Sequence, residues 1–351
     1  MNDTGSRPLR WGLLGTGRIN DRLIEAVRGP SRSNISVVAS RDIERARVYA
    51  GERAIDNPVG SYDELIDRSD VDIVYISLPN ALHYEWAKKA VEAGKHVLCE
   101  KPLAVDAAHV ASLAASAEEN DVVLQEASMM RFHRQTSAVR EIVGEGKIGD
   151  VRSCLANFAF TLEREEDVRW AAELGGGSLW DLGCYPVTLF HFVLGIAPKE
   201  VFAWSADVQG GVDRTFAAML RYSNELFGQF VTSFASSPGW GAEFIGTKGR
   251  VRLSHPYLNR VGVDTTVTVS TRPTGDARGT FGDAMDGIED EILRFGNVNA
   301  YFEEVQAMEA MVLGEQPILF PLSEVETNIA TLQALRESAS QGGPVPVPGR
   351  G

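Results

Sequence analysis

The first 130 residues alternate short apolar runs with helical segments, and this alternation restricts the fold more than any other feature. The runs are nearly continuous in Val, Ile and Leu, which is typical of strands buried on both faces of a parallel sheet. Because crossovers between parallel strands are right-handed, the pattern predicts an α/β fold with a doubly wound, Rossmann-like sheet. The predicted strands are LRWGLL, NISVVAS, VDIVYIS, HVLCE and DVVLQEA, and the predicted helices include residues 41–50, 61–67, 83–93 and 106–119.

After residue 130 the strand-like runs become longer and are joined by turn signals such as Thr-Lys-Gly, which is typical of an antiparallel sheet. We therefore expect two domains, residues 1–130 and residues 131–351, the second being an α/β domain with a large, open, mostly antiparallel sheet. The run LFGQFVTSFA has large apolar residues at both alternations, so both faces of this sheet should be covered. Helices would cover one face, and either a second subunit or the same chain would cover the other.

The composition argues against several classes of function. Of 351 residues, 44% are hydrophobic and 23% charged, as in an ordinary globular protein, and the net charge of −14 argues against nucleic acid as a partner. The three cysteines form no CxxC pair and the six histidines have no metal-ligand spacing, so we expect no disulfide and no metal site. The N-terminus lacks a signal-peptide pattern and no run of about 18 apolar residues occurs, so we expect a cytoplasmic protein without a membrane partner.

A glycine-rich turn follows the first predicted strand. Gly15, Thr16 and Gly17 stand between that strand and a helical segment, where backbone N–H groups and a helix N-terminus can bind a pyrophosphate. Asn20 occupies the third small position of the GxGxxG pattern and departs from it. A glycine turn without a ligand is the alternative, but its position at the first strand of an alternating sheet favours a dinucleotide site.

The end of the second strand bears on the choice between NAD and NADP. An NAD site usually has an acidic residue there, which binds the ribose 2′-hydroxyl. This chain has Ser40 and Arg41 instead, and an arginine can pair with a 2′-phosphate and stack on adenine. Asp42 keeps NAD possible, although it can equally cap the following helix. The sequence therefore predicts NADP as the preferred cofactor, with NAD possible.

Two groups of side chains are candidates for the chemistry. The strand HVLCE ends in Glu100, Lys101 and Pro102, at the edge where ligands bind in such sheets, so Lys101 is a candidate for proton transfer. A solvated surface pair of Lys101 and Glu100 is the alternative. Asp181 and Tyr185 are four residues apart, which would place them on one face of a helix. Tyr185 could donate a proton to an alkoxide and Asp181 could orient a hydroxyl group or Lys101, whereas a core tyrosine and an aspartate at a helix N-terminus are the alternative.

Four segments resemble the Gfo/Idh/MocA oxidoreductases, in order and along nearly the whole chain: GLLGTGRIN, SLPNALHYEWAKKAVEAGKHVLCEKPL, MMRFHRQ and GGGSLWDLGCYPV. The resemblance implies that residues 1–130 bind the dinucleotide and that residues 131–351 bind the substrate and form the oligomer contact. It implies that Lys101 is the catalytic lysine. The second catalytic position is Tyr185 rather than histidine, as in the branch that resembles glucose–fructose oxidoreductase, NADP-dependent xylose dehydrogenase and dihydrodiol dehydrogenase.

The resemblance also assigns the other site residues. The catalytic residues would be Lys101, Tyr185 and Asp181. The cofactor would contact the glycine turn and the ends of three strands, namely Gly15, Thr16, Gly17, Arg18, Ile19, Ser40, Arg41, Leu78, Pro79, Asn80, His83, Glu100, Lys101 and Pro102. The substrate would contact Arg131, His133, Trp170, Asp181 and Tyr185.

The expected activity is reversible hydride transfer between NADP or NAD and a carbinol or ketone carbon of a sugar, polyol or related diol. Lys101 and Tyr185 would handle the hydroxyl proton, in a homodimer or homotetramer. Two alternatives stay open. One is a non-catalytic regulator that senses a sugar or a cofactor on the same fold, and the other is a sugar oxidoreductase that retains its cofactor and recycles it internally.

Overall fold

The computed structural model describes residues 7–206, 208, 210–257, 263–271, 287–296 and 298–348. The chain forms two compact units. Unit 1 comprises the described residues of Met1–Met129, Glu173–Gly175 and Ala300–Ile329, and unit 2 comprises those of Met130–Ala172, Gly176–Asn299 and Ala330–Gly351. The structure differs from the division expected from the sequence in two ways: it groups residue 130 with unit 2, and residues 173–175 and 300–329 with unit 1.

Unit 1 contains a six-stranded sheet in which the paired strands are parallel. The strands are β1 (Leu9–Leu14), β2 (Ser33–Ala39), β3 (Asn57–Val59), β4 (Ile73–Ile76), β5 (His96–Glu100) and β6 (Leu124–Ala127). The helices that follow them are α1 (Asn20–Val27), α2 (Ile43–Glu52), α3 (Tyr62–Ile66), α4 (His83–Glu92) and α5 (Ala107–Glu119). The strand order β3-β2-β1-β4-β5-β6 confirms the predicted doubly wound sheet.

Unit 2 contains a larger sheet and begins with α6 (Arg134–Gly144). After β7 (Val151–Thr161) and α7 (Cys184–Leu194) come β8 (Glu200–Ala206), β9 (Thr215–Arg221), β10 (Phe227–Ser233), β11 (Ala235–Gly246), β12 (Gly249–Leu253), β13 (Thr266–Thr271) and β14 (Glu289–Arg294). The chain ends in α8 (Ala300–Val312), α9 (Leu322–Gln341) and β15 (Val345–Pro346). The strand order is β14-β13-β12-β11-β7-β10-β9-β8-β15, and within the described residues only β7 and β10 pair in parallel, which confirms the mostly antiparallel sheet.

Helix α8 belongs to unit 1 because of what its apolar face contacts. Val305 and Met308 are fully buried in one core cluster with Leu13 of β1 and Leu98 of β5. Complete burial of an aliphatic side chain contributes about 1.5–3 kcal/mol, so this contact fixes the helix on the parallel sheet. The grouping of α8 with unit 1 follows from this packing.

One face of the unit 2 sheet is covered and the other is exposed in the part of the chain that the structure describes. Along β10, Phe230 is 2% exposed, whereas Phe227 and Val231 are 40% and 46% exposed. The strand register places Trp204 of β8, Ala217 of β9 and Val231 in one row on the exposed face. The described chain thus covers the inner face of the sheet and leaves an apolar outer face open.

Candidate active site

The turn between β1 and α1 is packed too closely for side chains. Gly15 has a φ of +112°, and a Cβ there would lie 3.0 Å from Leu78 Cδ2. A Cβ at Gly17 would lie 3.1 Å from the carbonyl oxygen of Ser77. The buried Asn20 side chain donates from Nδ2 to the Gly15 carbonyl at 2.9 Å. Asn20, which departs from the sequence pattern, therefore braces the turn from inside, and the turn keeps the open backbone that a pyrophosphate needs.

Asp42, which follows the end of β2, is the N-cap residue of α2. Its Oδ1 accepts hydrogen bonds from the N–H groups of Glu44 and Arg45, at 2.9 and 3.3 Å, so it caps α2. Ser40 is buried and its Oγ accepts the Asp42 N–H at 3.3 Å, while Arg41 is exposed. The capping interpretation of Asp42 therefore has direct support, and Arg41 is accessible to a phosphate.

Arg45 is a candidate cofactor residue that the sequence prediction missed. Its Nε donates to Thr16 Oγ1 at 2.8 Å, which places the guanidinium beside the glycine turn. The sequence held one signal, because Arg45 lies four residues after Arg41 and in the first turn of the helix that follows β2. Two arginines thus supply positive charge at the β2 edge of the site.

His83 links the end of β4 to the turn after β5. It is fully buried, with Nδ1 2.7 Å from the Pro102 carbonyl and Nε2 2.7 Å from the Leu78 carbonyl. Burial lowers the pKa of His83, although the two carbonyl oxygens favour the charged ring. Three residues before His83, Asn80 Nδ2 donates to the Gly175 carbonyl at 2.9 Å. Both residues therefore hold loops at the carboxyl edge of the sheet.

The charged end of β5 is fixed by hydrogen bonds. Tyr75 Oη donates to Glu100 Oε1 at 2.5 Å, and the Lys101 N–H donates to Glu100 Oε2 at 3.3 Å. Beyond the cis Lys101–Pro102 peptide, the Leu103 N–H donates to Glu126 Oε1 at 3.0 Å. Two carboxylates thus hold the backbone on either side of Lys101. The apolar strand ends in charged residues because they build this turn.

A third carboxyl group, which the sequence prediction missed, lies behind the same turn. Glu304 of α8 is 1% exposed, and its Oε1 has no hydrogen-bond partner among the described residues. Burial raises the pKa of Glu304 well above its ordinary value, and the charges of Glu100 and Glu126 add to the rise. Burial and the two neighbouring carboxylates therefore favour the neutral form of Glu304.

In unit 2 an arginine holds the candidate catalytic aspartate. Arg169 Nε donates to Asp181 Oδ2 at 2.6 Å, and its Nη1 donates to Asp167 Oδ1 at 3.1 Å. The Asp181 charge raises the pKa of Arg169, which stays a cation. Gly176 permits this arrangement, because a Cβ there would lie 2.4 Å from the Arg169 carbonyl oxygen. The sequence prediction missed Arg169, since a polar loop of unknown path gives no sign of which side chain will pair with Asp181.

The spacing of Asp181 and Tyr185 predicts that both lie on one α-helix, but the structure does not place them on one regular α-helix. Residues Leu179–Gly183 form a π-helical turn, and α7 begins only at Cys184. Pro186, in the first turn of α7, lacks the N–H that an α-helix would direct to the Leu182 carbonyl, which favours the wider turn. The four-residue rule therefore does not apply between these two positions.

Tyr185 is held in an aromatic cluster. Its ring centroid is 5.1 Å from that of Phe158, edge to face, and 5.4 Å from that of Tyr257. Phe158 and Tyr257 stack on each other at 4.9 Å. Tyr185 is 7% exposed, and these contacts fix the orientation of its phenol ring. The burial of Tyr185 is compatible both with a core tyrosine and with a catalytic role.

The three other candidate substrate residues have different environments. Arg131 is 2% exposed, with its guanidinium carbon 5.6 Å from the Phe192 ring. His133 is fully buried and caps α6, because its Nδ1 accepts the Gln135 N–H at 3.1 Å; burial and the Arg134 charge lower its pKa to about 4. Trp170 is partly exposed and donates from Nε1 to the Arg164 carbonyl at 2.8 Å. Of the three, Trp170 is the most accessible to a substrate.

Two further properties concern the described residues as a whole. Among them, no group of three or more His, Cys, Asp or Glu side chains is arranged to hold a metal ion. None of the helices that the structure describes is both long and apolar enough to cross a membrane.

Comparison with known proteins decides the family. The sequence matches the model for the oxidoreductase family with an NAD-binding Rossmann fold over residues 9–128. It matches the GFO/IDH/MocA C-terminal domain over residues 136–252. The chain belongs to the Gfo/Idh/MocA oxidoreductases. The resemblance drawn from the four sequence segments is thereby confirmed.

Named members of this family resemble the chain over most of its length. D-xylose 1-dehydrogenase (NADP(+)) 2 from Haloferax volcanii is 34% identical over 96% of this chain and 99% of that protein. Trans-1,2-dihydrobenzene-1,2-diol dehydrogenase from Macaca fuscata fuscata is 33% identical over 71% of this chain and 75% of that protein. KijD10, a 3-ketoreductase from Actinomadura kijaniata solved with NADP and TDP-benzene, has a TM-score of 0.83 at 27% identity and covers 94% of this chain and 98% of its own. This Gfo/Idh/MocA protein is accordingly an NAD(P)-dependent oxidoreductase.

Proposed function

We propose that the protein is an NADP-preferring dehydrogenase or reductase that acts on the carbinol or ketone carbon of a sugar, polyol or related diol. The observation that carries this proposal is the turn around Lys101, whose backbone is held by Glu100 and Glu126. A lysine on a fixed backbone turn at the carboxyl edge of a Rossmann sheet suits the binding or transfer of a hydroxyl proton. The named relatives are, by their names, a xylose dehydrogenase, a dihydrodiol dehydrogenase and a 3-ketoreductase, and they support the substrate class.

The residues of unit 1 fit a dinucleotide. Because Gly15 and Gly17 carry no side chains, a pyrophosphate can approach the backbone of the turn between β1 and α1. Arg41 and Arg45 can pair with a 2′-phosphate, and Asp42 is engaged as a helix cap. The nicotinamide, when bound, accepts or donates the hydride, and the protein supplies position and proton management.

The proton of the reacting hydroxyl group is assigned to Lys101 and Tyr185, each on the geometry of its own unit. Lys101 stands on a fixed turn, and the Tyr185 ring is held by Phe158 and Tyr257. Asp181, paired with Arg169, is a carboxylate that can accept hydrogen bonds from carbohydrate hydroxyl groups. These groups can therefore position a polyol and remove or return one proton.

We further propose that the protein is a homodimer or homotetramer that associates through the outer face of the unit 2 sheet. Trp204, Met219, Phe227 and Val231 are 54%, 44%, 40% and 46% exposed on this face, and an exposed apolar patch of this kind marks an interaction surface. We also expect a cytoplasmic location, because the cysteines of the chain are buried free thiols, which suits a reducing compartment.

The experiment that tests the function is a substrate panel. Sugars, sugar ketones and diols would be incubated with the protein and NADP or NAD, and nicotinamide absorbance followed. We expect turnover with at least one carbohydrate-like alcohol or ketone, and a higher kcat/KM with NADP. Binding of sugars without any turnover in either direction would instead indicate a regulator. Nicotinamide absorbance in the purified protein, unchanged by added cofactor, would indicate a retained and recycled cofactor.

A further inference from the structure

A pocket lies within unit 2, and neither Asp181 nor Tyr185 lines it. Its volume is about 280 Å³, close to the lower end for small-molecule sites. The segment before α7, strands β8 and β9, and the C-terminal half of α9 contribute to its wall. The side chains that bear on its chemistry are Trp180, Ser205, Asp213, Phe216, Arg336 and Ser340.

Asp213 is an acceptor of fixed orientation in this wall. Its Oδ2 accepts hydrogen bonds from the Ser178 hydroxyl at 2.7 Å and from the Leu179 N–H at 2.9 Å. No side chain among the described residues donates to its second oxygen, Oδ1. A carboxylate held by one oxygen can therefore accept from the hydroxyl group of a ligand with the other.

Arg336 places a cation on the same pocket. It is an exposed residue of α9 and makes no hydrogen bond or ion pair with the described residues, Asp213 included. An acidic and a basic side chain thus line one small pocket without being paired to each other. Ser205 and Ser340 add hydroxyl groups, while Trp180 and Phe216, which are 3% and 2% exposed, add apolar wall.

We propose that this pocket binds a small polyhydroxy carboxylate, such as a sugar acid of about five or six carbons, which its volume can hold. The ligand carboxylate would pair with the Arg336 guanidinium, which suits bidentate pairing. A ligand hydroxyl group would donate to Asp213, and the carbon chain would lie against the Trp180 and Phe216 wall. Asp181 and Tyr185 are not among the residues that line this pocket, so the proposal does not depend on which substrate the enzyme turns over.

The test is isothermal titration calorimetry of the full chain, with NADP present, using gluconate as the probe. Glucose lacks the carboxylate and hexanoate lacks the hydroxyl groups, so each removes one half of the proposed recognition. The variants are Arg336→Ala and, as a matched control one residue further along the same helix, Glu337→Gln. Tyr185→Phe reports on binding at the catalytic residues instead.

We expect saturable binding of one gluconate per chain, at least about tenfold weaker in Arg336→Ala, since a charge-assisted pair is lost. Glucose and hexanoate should also bind at least about tenfold more weakly, and Glu337→Gln and Tyr185→Phe should bind gluconate like the wild type. Asp213→Asn should weaken gluconate in the same direction as Arg336→Ala. The proposal is overturned if gluconate shows no saturable binding, if Arg336→Ala binds it normally, or if Tyr185→Phe is the variant that loses it.

Discussion

Replacement of Arg45 by alanine should reduce the affinity for NADP and leave that for NAD nearly unchanged. Arg45 Nε is engaged by Thr16 at 2.8 Å, whereas its Nη groups make no hydrogen bond within the described residues, so they are available to a 2′-phosphate. A hydrogen bond to a charged group contributes about 1.5–3 kcal/mol, so the dissociation constant for NADP should rise roughly 10- to 150-fold. NAD lacks the 2′-phosphate and loses no such contact.

The assay is calorimetric titration of both cofactors into the wild type and the variants. Arg47→Ala is the matched control, because Arg47 lies on the same helix but pairs with Glu44. Arg41→Ala should behave like Arg45→Ala if both arginines contact the phosphate. Equal losses of NADP and NAD affinity in Arg45→Ala, or the same NADP loss in Arg47→Ala, would refute the assignment.

Three further predictions concern stability, assembly and substrate binding. Glu304→Gln should stabilise the protein increasingly as pH rises. The folded state keeps the Glu304 proton at pH values above ~4.3, where the unfolded state has lost it. The free energy of unfolding of the wild type therefore falls by about 1.4 kcal/mol per pH unit until the folded carboxyl group ionises. Urea unfolding at several pH values measures the difference in stability between variant and wild type, and a difference that does not change with pH contradicts the prediction. Trp204→Glu should shift the protein toward monomer in light scattering, and an unchanged mass would count against the proposed interface. Arg169→Met should lower kcat/KM for the substrate by about tenfold or more, because Asp181 loses its partner, while the affinity for NADP stays constant. An unchanged kcat/KM would show that the pair of Arg169 and Asp181 does not position the substrate.

The order of elements in unit 1 could be predicted because each strand is apolar on both faces and the crossovers have one hand. The structure adds β3, which has three residues and contains Pro58, too short and too polar to predict as a strand. Proline has no N–H for the sheet and is confined to edge strands, which is where β3 lies. The placement of α8 on unit 1 could not be predicted, since it depends on contacts about 290 residues apart in the sequence, such as that of Val305 with the core around Leu13.

The candidate site likewise has features that the sequence could predict and features that it could not. The glycine turn and the turn at Lys101 could be predicted, because characteristic residue types stand where the predicted strands end. The partners that hold the site residues could not be predicted, because Arg169 reaches Asp181 across an irregular loop and Tyr75 reaches Glu100 from the neighbouring strand. Glu304 left one signal, since it continues the spacing of the buried residues Ala300 and Met308 along α8. A glutamate at such a position is a candidate buried carboxyl group.

The most direct test of the proposed mechanism is a double-mutant cycle on Lys101 and Tyr185. Lys101→Ala and Tyr185→Phe should each lower kcat by about 10²–10⁴-fold, the usual contribution of a general acid–base group, with little change in NADP affinity. The double variant should be scarcely worse than the worse single one, because groups that act as a unit are not additive. A near-normal kcat in Tyr185→Phe, or two losses that multiply fully in the double variant, would contradict the account.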